Sequence, residues 1–159
     1  MIRVLVFILL LPFRIIFGKF GGGSEIVYIP ENHPDMEKAK KEARESLPEF
    51  RKLLLSPEPD MGDFAVKVAF PTDGSTEHCW VSELTFDGQY FKGRVSNIPD
   101  NVKGLKFGSV VTVKEEMISD WAYSRAGIYK GHFTTRVLLP YMNRKLRKQV
   151  LKYYGWKNQ

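Results

Sequence analysis

A chain of 159 residues, 43% apolar and 26% charged, has enough apolar side chains to close one core of ordinary size and is not disordered throughout. Its net charge of +6 sits at the two ends: Arg3, Arg14 and Lys19 near the start, and Arg144, Lys145, Arg147, Lys148, Lys152 and Lys157 in 141–159, with no acidic residue in either stretch. Without those nine groups, residues 25 to 140 hold 15 basic and 18 acidic side chains, a net of −3, which excludes a nucleic-acid domain built on one basic face.

Ile2 to Phe17 (IRVLVFILLLPFRIIF) is apolar except at Arg3, Pro12 and Arg14. A secretory signal has a basic start, an apolar stretch and a small-residue cleavage site. Gly21-Gly22-Gly23-Ser24 is a poor version of the last, and Arg14 and Lys19 stand where such a site is uncharged. A spanning helix needs about 20 apolar residues. This segment reaches that length by taking in Gly18 to Phe20, with Arg14 snorkelling to the interface. The expectation is an anchor or signal segment with a glycine tether over 1–23, placing the protein at a membrane, or exported after signal cleavage. A folded α+β domain over 24–140 and a basic amphipathic helix over 141–159 complete the chain.

Pro34 suits the first turn of a helix, with Asp35 and Glu37 at its positive end. Met36, Ala39, Ala43 and Leu47 keep helical spacing. Pro48 interrupts that pattern, and Ser46-Leu47-Pro48-Glu49 resembles a second capping box. Two consecutive helices are expected, about 35–45 and 48–55. Phe64, Val66, Val68 and Phe70 alternate with Ala65, Lys67 and Ala69, as in a strand with one buried face. Asp73-Gly74 turns the chain into a second strand, Glu77 to Phe86, and Asp87-Gly88 signals a two-residue hairpin. Counting from that turn sets Phe86 opposite Gln89, Trp80 opposite Val95 and His78 opposite Asn97. His78, Trp80, Leu84, Phe91 and Val95 then share one face while Cys79 points away.

Ser109 to Val113 is a further strand. Ile118 to Ser124 and Ile128 to Leu139 form a hairpin through Ala126-Gly127 that sets Trp121 opposite His132. At the end, Met142, Leu146, Val150 and Tyr154 make one apolar stripe on a short cationic helix. It either packs on the domain or meets an anionic membrane surface. The order of elements indicates an α+β fold: two N-terminal helices packed on a curved, half-barrel-like antiparallel sheet of about five to six strands, with a short C-terminal helix.

Two patches, Glu77-His78-Cys79-Trp80-Val81 and Ile118-Ser119-Asp120-Trp121-Ala122-Tyr123, place hydrogen-bonding groups beside an indole. A buried indole needs a partner for its N–H, so each patch is either a satisfied core network or a recognition site. His78, Asp120 and His132 are the catalytic candidates. His78 would act as a base with Asn97 opposite, or lock the hairpin. Asp120 would pair with His132, or cap a turn. Trp80, Asn97, Trp121, Tyr123 and Arg136 are the binding candidates, with Arg136 either a strut to Asp120 or Glu77 or the receiver of an acidic ligand. Cys79 reads as a small core hydrophobe. As the only cysteine it excludes an internal disulfide and a Cys-based zinc site. No metalloprotease helix, phosphate-cradling loop or serine elbow occurs, and no cofactor or metal is implied.

These residues resemble the bacterial YegJ-like family of unknown function over about residues 39–139. The resemblance rests on Ala43-Arg44, Leu47-Pro48-x-Phe50, Phe64-x-Val66-Lys67, Glu77-His78-x-Trp80-Val81 and Asn97-x-Pro99. It continues in Ile118-x-Asp120-Trp121-x-Tyr123 and Gly131-x-x-Thr134-x-Arg136-Val137-Leu138. It implies no activity or cofactor, only a small domain that stands alone or is appended to others, some members carrying signal or anchor segments. The functional expectation is a membrane-tethered binding or interaction module. It would meet the membrane through residues 2–20 and the basic tail 144–157, and hold an unknown protein or small ligand, not nucleic acid. The alternatives are a small hydrolase-like enzyme using His78, His132 and Asp120, and a structural envelope protein without a pocket.

Overall fold

The computed structural model describes residues 32–156. The apolar segment at 2–20 lies outside them, and no helix of the described residues is long and apolar enough to cross a membrane. In chain order the elements are α1 (Pro34–Leu55), β1 (Met61–Thr72), β2 (Ser75–Phe86), β3 (Phe91–Val95), β4 (Val110–Val113), β5 (Ile118–Arg125), β6 (Ile128–Gly131), α2 (Phe133–Leu138) and α3 (Arg144–Tyr153). The strands form one open antiparallel sheet, ordered β4-β3-β2-β1-β5-β6. The fold is α+β.

The two expected N-terminal helices are one. His33 caps α1 by accepting the Asp35 N–H on Nδ1 (3.2 Å), and the helix runs through Pro48. A proline inside a helix leaves a carbonyl of the preceding turn without its amide. Here that carbonyl is Arg44's. Neighbouring carbonyls gain side-chain donors: Ser46 Oγ donates to the Glu42 carbonyl (2.7 Å), and the Trp121 indole N–H donates to the Ala43 carbonyl (3.0 Å). Leu47 and Phe50, on either side of the proline, are buried against the sheet, and that packing holds the two halves of α1 as one helix. Ala43, Leu47 and Phe50 pack on Val66, Val68, Cys79, Val81, Phe91, Val95, Val113, Ile118, Trp121 and Tyr123 to form the main core.

The Asp73-Gly74 turn pairs Thr72 with Ser75, and Ala126-Gly127, both at positive φ, pairs Arg125 with Ile128. The β2–β3 register departs from the count made from Asp87-Gly88. Asp87 Oδ1 accepts the N–H groups of Gln89 (2.8 Å) and Tyr90 (2.7 Å), closing a longer loop that pairs Phe86 with Phe91. A bulge at Glu83, which adopts φ 52°, then shifts the ladder again so that Val81 pairs with Val95. The bulge reverses the alternation. Leu84, Phe91 and Val95 share the α1 face with Val81 and Cys79, while His78 and Trp80 lie on the opposite face. Gly93 stands against the bulge, where a Cβ would meet the Ser82 carbonyl and lie 2.9 Å from Val81 and Leu84.

β6 is shorter than the strand expected to reach Leu139. The register does set His132 beside Trp121, with the His132 N–H on the Trp121 carbonyl (2.9 Å). Gly131 (φ 74°) and His132 (φ 54°) are both left-handed, and that pair turns the strand into α2. Asn143 caps α3 by accepting the Leu146 N–H (2.8 Å). Val150, Tyr154 and Trp156 join Met36, Leu138, Leu139 and Met142 in a second core. The apolar stripe of α3 thus packs inward.

Candidate functional site

Lys67 of β1 is the direct partner of Trp80 on β2 and of Asp120 on β5, so the three side chains rise from the same face of the sheet. Asp120 is fully buried and accepts four hydrogen bonds: the N–H groups of Trp121 (2.8 Å) and Phe133 (3.1 Å) on Oδ1, and the N–H (2.8 Å) and hydroxyl (2.5 Å) of Thr134 on Oδ2. Every bond is donated to it, the pattern of an ionised carboxylate. Burial pushes its pKa up, against the pull of Lys67 and those donors. Two of the amides open α2, so the carboxylate caps that helix from a neighbouring strand.

Lys67 Nζ donates to Thr134 Oγ1 (3.2 Å) and stands 5.9 Å from the centroid of the Trp80 ring. Burial pulls its pKa down and the Asp120 charge pulls it back up. Ser119 Oγ donates to the Lys67 carbonyl (3.2 Å) and lies 2.9 Å from His78 Nδ1. With the serine proton so placed, Nδ1 of His78 carries the donated hydrogen and Nε2 is the acceptor. Burial, then the charges of Lys67, Lys40 and Arg44, holds the His78 pKa down to about 3.

His132 is buried among aromatic rings: Tyr154 at 4.4 Å, Trp80 at 4.8 Å, Tyr129 at 5.7 Å and Trp156 at 6.0 Å between centroids. Burial, then Lys67 and Arg136, holds its pKa at about 3. Arg136 donates to the Gly131 carbonyl (3.1 Å) and lies 3.8 Å over the Trp156 ring. Among the described residues no three His, Cys, Asp or Glu side chains gather to hold a metal.

A family model described as an uncharacterized protein conserved in bacteria, domain of unknown function 2314, matches residues 33–157. The chain belongs to this family. The uncharacterized protein YegJ of Escherichia coli K12 is 35% identical over 107 residues, which cover 67% of this chain and 69% of that one. A putative ankyrin repeat protein of Neisseria meningitidis serogroup B is 32% identical over 140 residues, 80% of this chain and 54% of the relative. The match therefore spans about half of that second protein. No solved structure matches. The family region takes in the basic helix α3, beyond the 39–139 expected from motifs.

His78, Asp120 and His132 occupy one region of one sheet face, yet none hydrogen-bonds another. His78 bonds Ser119, Asp120 bonds α2 and Trp121, and His132 lies 3.5 Å from Thr135 Oγ1. Asn97 does not face His78: its Oδ1 accepts the Trp80 backbone N–H (2.6 Å). Trp121 and Tyr123 are on the opposite, α1 face, stacked with Phe50 and Phe64. Glu77 holds the β3–β4 loop by accepting the N–H groups of Asp100 (2.7 Å) and Asn101 (2.8 Å). Cys79 is buried, its thiol pushed up to about 11 by burial, so it is a protonated core group. Lys67, Ser119, Thr134 and Trp156 are not among the candidates that the sequence suggests. Lys67 and Thr134 stand there only in the motifs of the resemblance and Ser119 only within the second tryptophan patch, and Lys67 is also a charge inside the apolar run Phe64 to Phe70.

Proposed function

We propose that this chain is a membrane-apposed binding module, tethered by its apolar N-terminal segment and turned toward an anionic bilayer by α3. The observation that supports this reading is where the described chain begins. His33 Nε2 lies 3.0 Å from the Tyr141 hydroxyl with the two rings edge to face, and Met36 packs in one cluster with Val150 and Tyr154 of the α3 region. The described chain therefore begins beside α3. Arg144, Lys145, Arg147, Lys148 and Lys152 of that helix are all exposed and, among the described residues, none is in an ion pair. Each such cation is worth about 1 kcal/mol near an anionic surface. One apolar anchor plus a basic patch is the two-signal combination that gives stable attachment.

A binding role is favoured over catalysis because His78, His132 and Asp120 each have a separate structural partner. Two imidazoles with pKa values about 3 are poor bases near neutral pH. Exposed Phe107 and Val110 border the outermost strand, β4, and suit a partner surface. The curled, half-barrel form of the sheet belongs to the same proposal, as the shape that would hold a ligand. A relative described as a putative ankyrin repeat protein fits an interaction role, because such repeats stack into binding surfaces. Flotation with vesicles of phosphatidylcholine, with and without phosphatidylglycerol, tests the reading. The full chain is expected to float with both, and a chain starting at Ser24 only with the anionic vesicles. Replacing Lys145 and Lys148 by Glu in the shorter chain is expected to abolish that. A full chain that floats with neither vesicle would sink the proposal.

A further inference from the structure

Three polar atoms on the face of β1 and β2 that carries Trp80 are left over by folding. Trp80 and His78 are two residues apart on β2, so their side chains leave the same face about 7 Å apart. Both are half-buried. Among the described residues no acceptor reaches the Trp80 indole N–H and no donor reaches His78 Nε2. Among the described residues no fully buried side-chain nitrogen or oxygen lacks a partner, so both atoms open to solvent. Lys67 Nζ commits one of its three N–H groups, to Thr134, and stands 5.9 Å from the centroid of the Trp80 ring, on a side chain that is itself buried. Ala69, directly opposite His78, is small and half-buried.

The field at this face is positive. Lys40 and Arg44 of α1 act on His78 together with Lys67, and Asp120 is the one carboxylate acting on Lys67. Lys40 is bridged to Glu37 (2.8 Å), whereas among the described residues Arg44 is in no ion pair. The Asp120 lone pairs are already taken by four donors, so Lys67 is balanced in charge but not saturated in hydrogen bonds.

We propose that this face, bounded by Lys67, His78 and Trp80, binds a small anion that carries a carboxylate or phosphate beside a hydroxyl. The anionic oxygens accept from Lys67 Nζ and from the Trp80 indole N–H, and the hydroxyl donates to His78 Nε2. A neutral imidazole is suited to this part, since its Nε2 stays an acceptor across the physiological range. Arg44 of α1 adds attraction through its charge at longer range. The site involves neither α3 nor the N-terminal segment, so it stands whether or not the chain meets a membrane.

The test is a titration of the full chain, nitrogen-15 labelled in a zwitterionic detergent, with glycolate and with inorganic phosphate, each against sodium chloride at equal ionic strength. The Trp80 indole resonance, assigned by its loss in Trp80→Phe, is expected to shift saturably with glycolate and phosphate and not with chloride. Backbone resonances around His78 are expected to follow the same curve. Trp80→Phe and Arg44→Met should each weaken binding about tenfold or less, Lys67→Met should abolish it, and Lys148→Met on α3 should leave it unchanged. Arg44 is exposed, so its variant serves even if Lys67→Met does not fold. A shift that never saturates, a chloride shift of equal size, or wild-type affinity in both the Arg44 and Trp80 variants would overturn the site.

Discussion

Lowering the pH from 7 to about 5 should cost this fold about 2–4 kcal/mol through His78 and His132. Both rings are held near a pKa of about 3 in the folded chain, mainly by burial, against an ordinary 6.5. The unfolded chain therefore takes up protons that the folded chain refuses. The folded pKa values are depressed, so this contribution is complete above 6.5 and is lost as pH falls from 6.5 toward 3. At pH 5 a ring of this kind has lost about 1.4 kcal/mol for each of about one and a half pH units, or about 2 kcal/mol. His132, 6% exposed, carries that in full; half-buried His78 carries less because water screens it. Asp120 acts in the opposite sense, its raised pKa favouring the folded state as it protonates, which softens the slope at the acid end. Urea midpoints followed by tryptophan fluorescence at successive pH values measure the loss. His78→Gln, which keeps a polar end toward Ser119, should reduce the slope to about one proton. Equal midpoints at pH 7 and 5, or either imidazole titrating near 6.5 by proton NMR, would refute the reasoning.

Asp120→Asn should destabilise by about 3 kcal/mol or more, because an amide turns N–H groups toward donors that the carboxylate accepted and leaves Lys67 unbalanced. Urea unfolding at neutral pH checks this, and a loss under about 1 kcal/mol would mean that the cap on α2 is dispensable. Pro48→Ala should stabilise by about 1 kcal/mol, less than the roughly 3 kcal/mol of an uncompensated helix proline, since Arg44 and Pro48 are both exposed and water can serve the Arg44 carbonyl. Unchanged or lowered thermal stability would argue against it.

The strands were legible because their signals were local. Asp73-Gly74 and Ala126-Gly127 each specify a turn through residues that tolerate positive φ, and both hairpins follow from them. Two failures have a common cause in information from distant residues. Pro48 reads as a break because nothing near it reveals that Leu47 and Phe50, on either side of it, will pack on one sheet. Glu83 reads as an ordinary strand residue, and its left-handed conformation reverses the faces of everything before it in β2. The spacing of Val81 and Leu84 (three apart, both packed on one core) and the glycine at 93 are the traces of that bulge in the sequence. The pairing of His78 with Asn97 failed at the same bulge.

Asp120 shows how the fold and the candidate site are one problem. Gly131 and His132 turn β6 away from the sheet, so the amides of Phe133 and Thr134 come to lie against β5 with no strand carbonyl to receive them. The carboxylate supplies that acceptor, and a buried carboxylate requires a nearby cation. Lys67 is the cation, reached from β1 through the Thr134 hydroxyl. Lys67 pairs with Trp80 across the strands, which brings its buried ammonium to within 5.9 Å of the centroid of that half-buried indole. The requirement that caps α2 thereby sets a cation beside the groups of the proposed site. It is Lys67, absent from the candidates that the sequence suggests, that joins the cap on α2 to the groups of the proposed site.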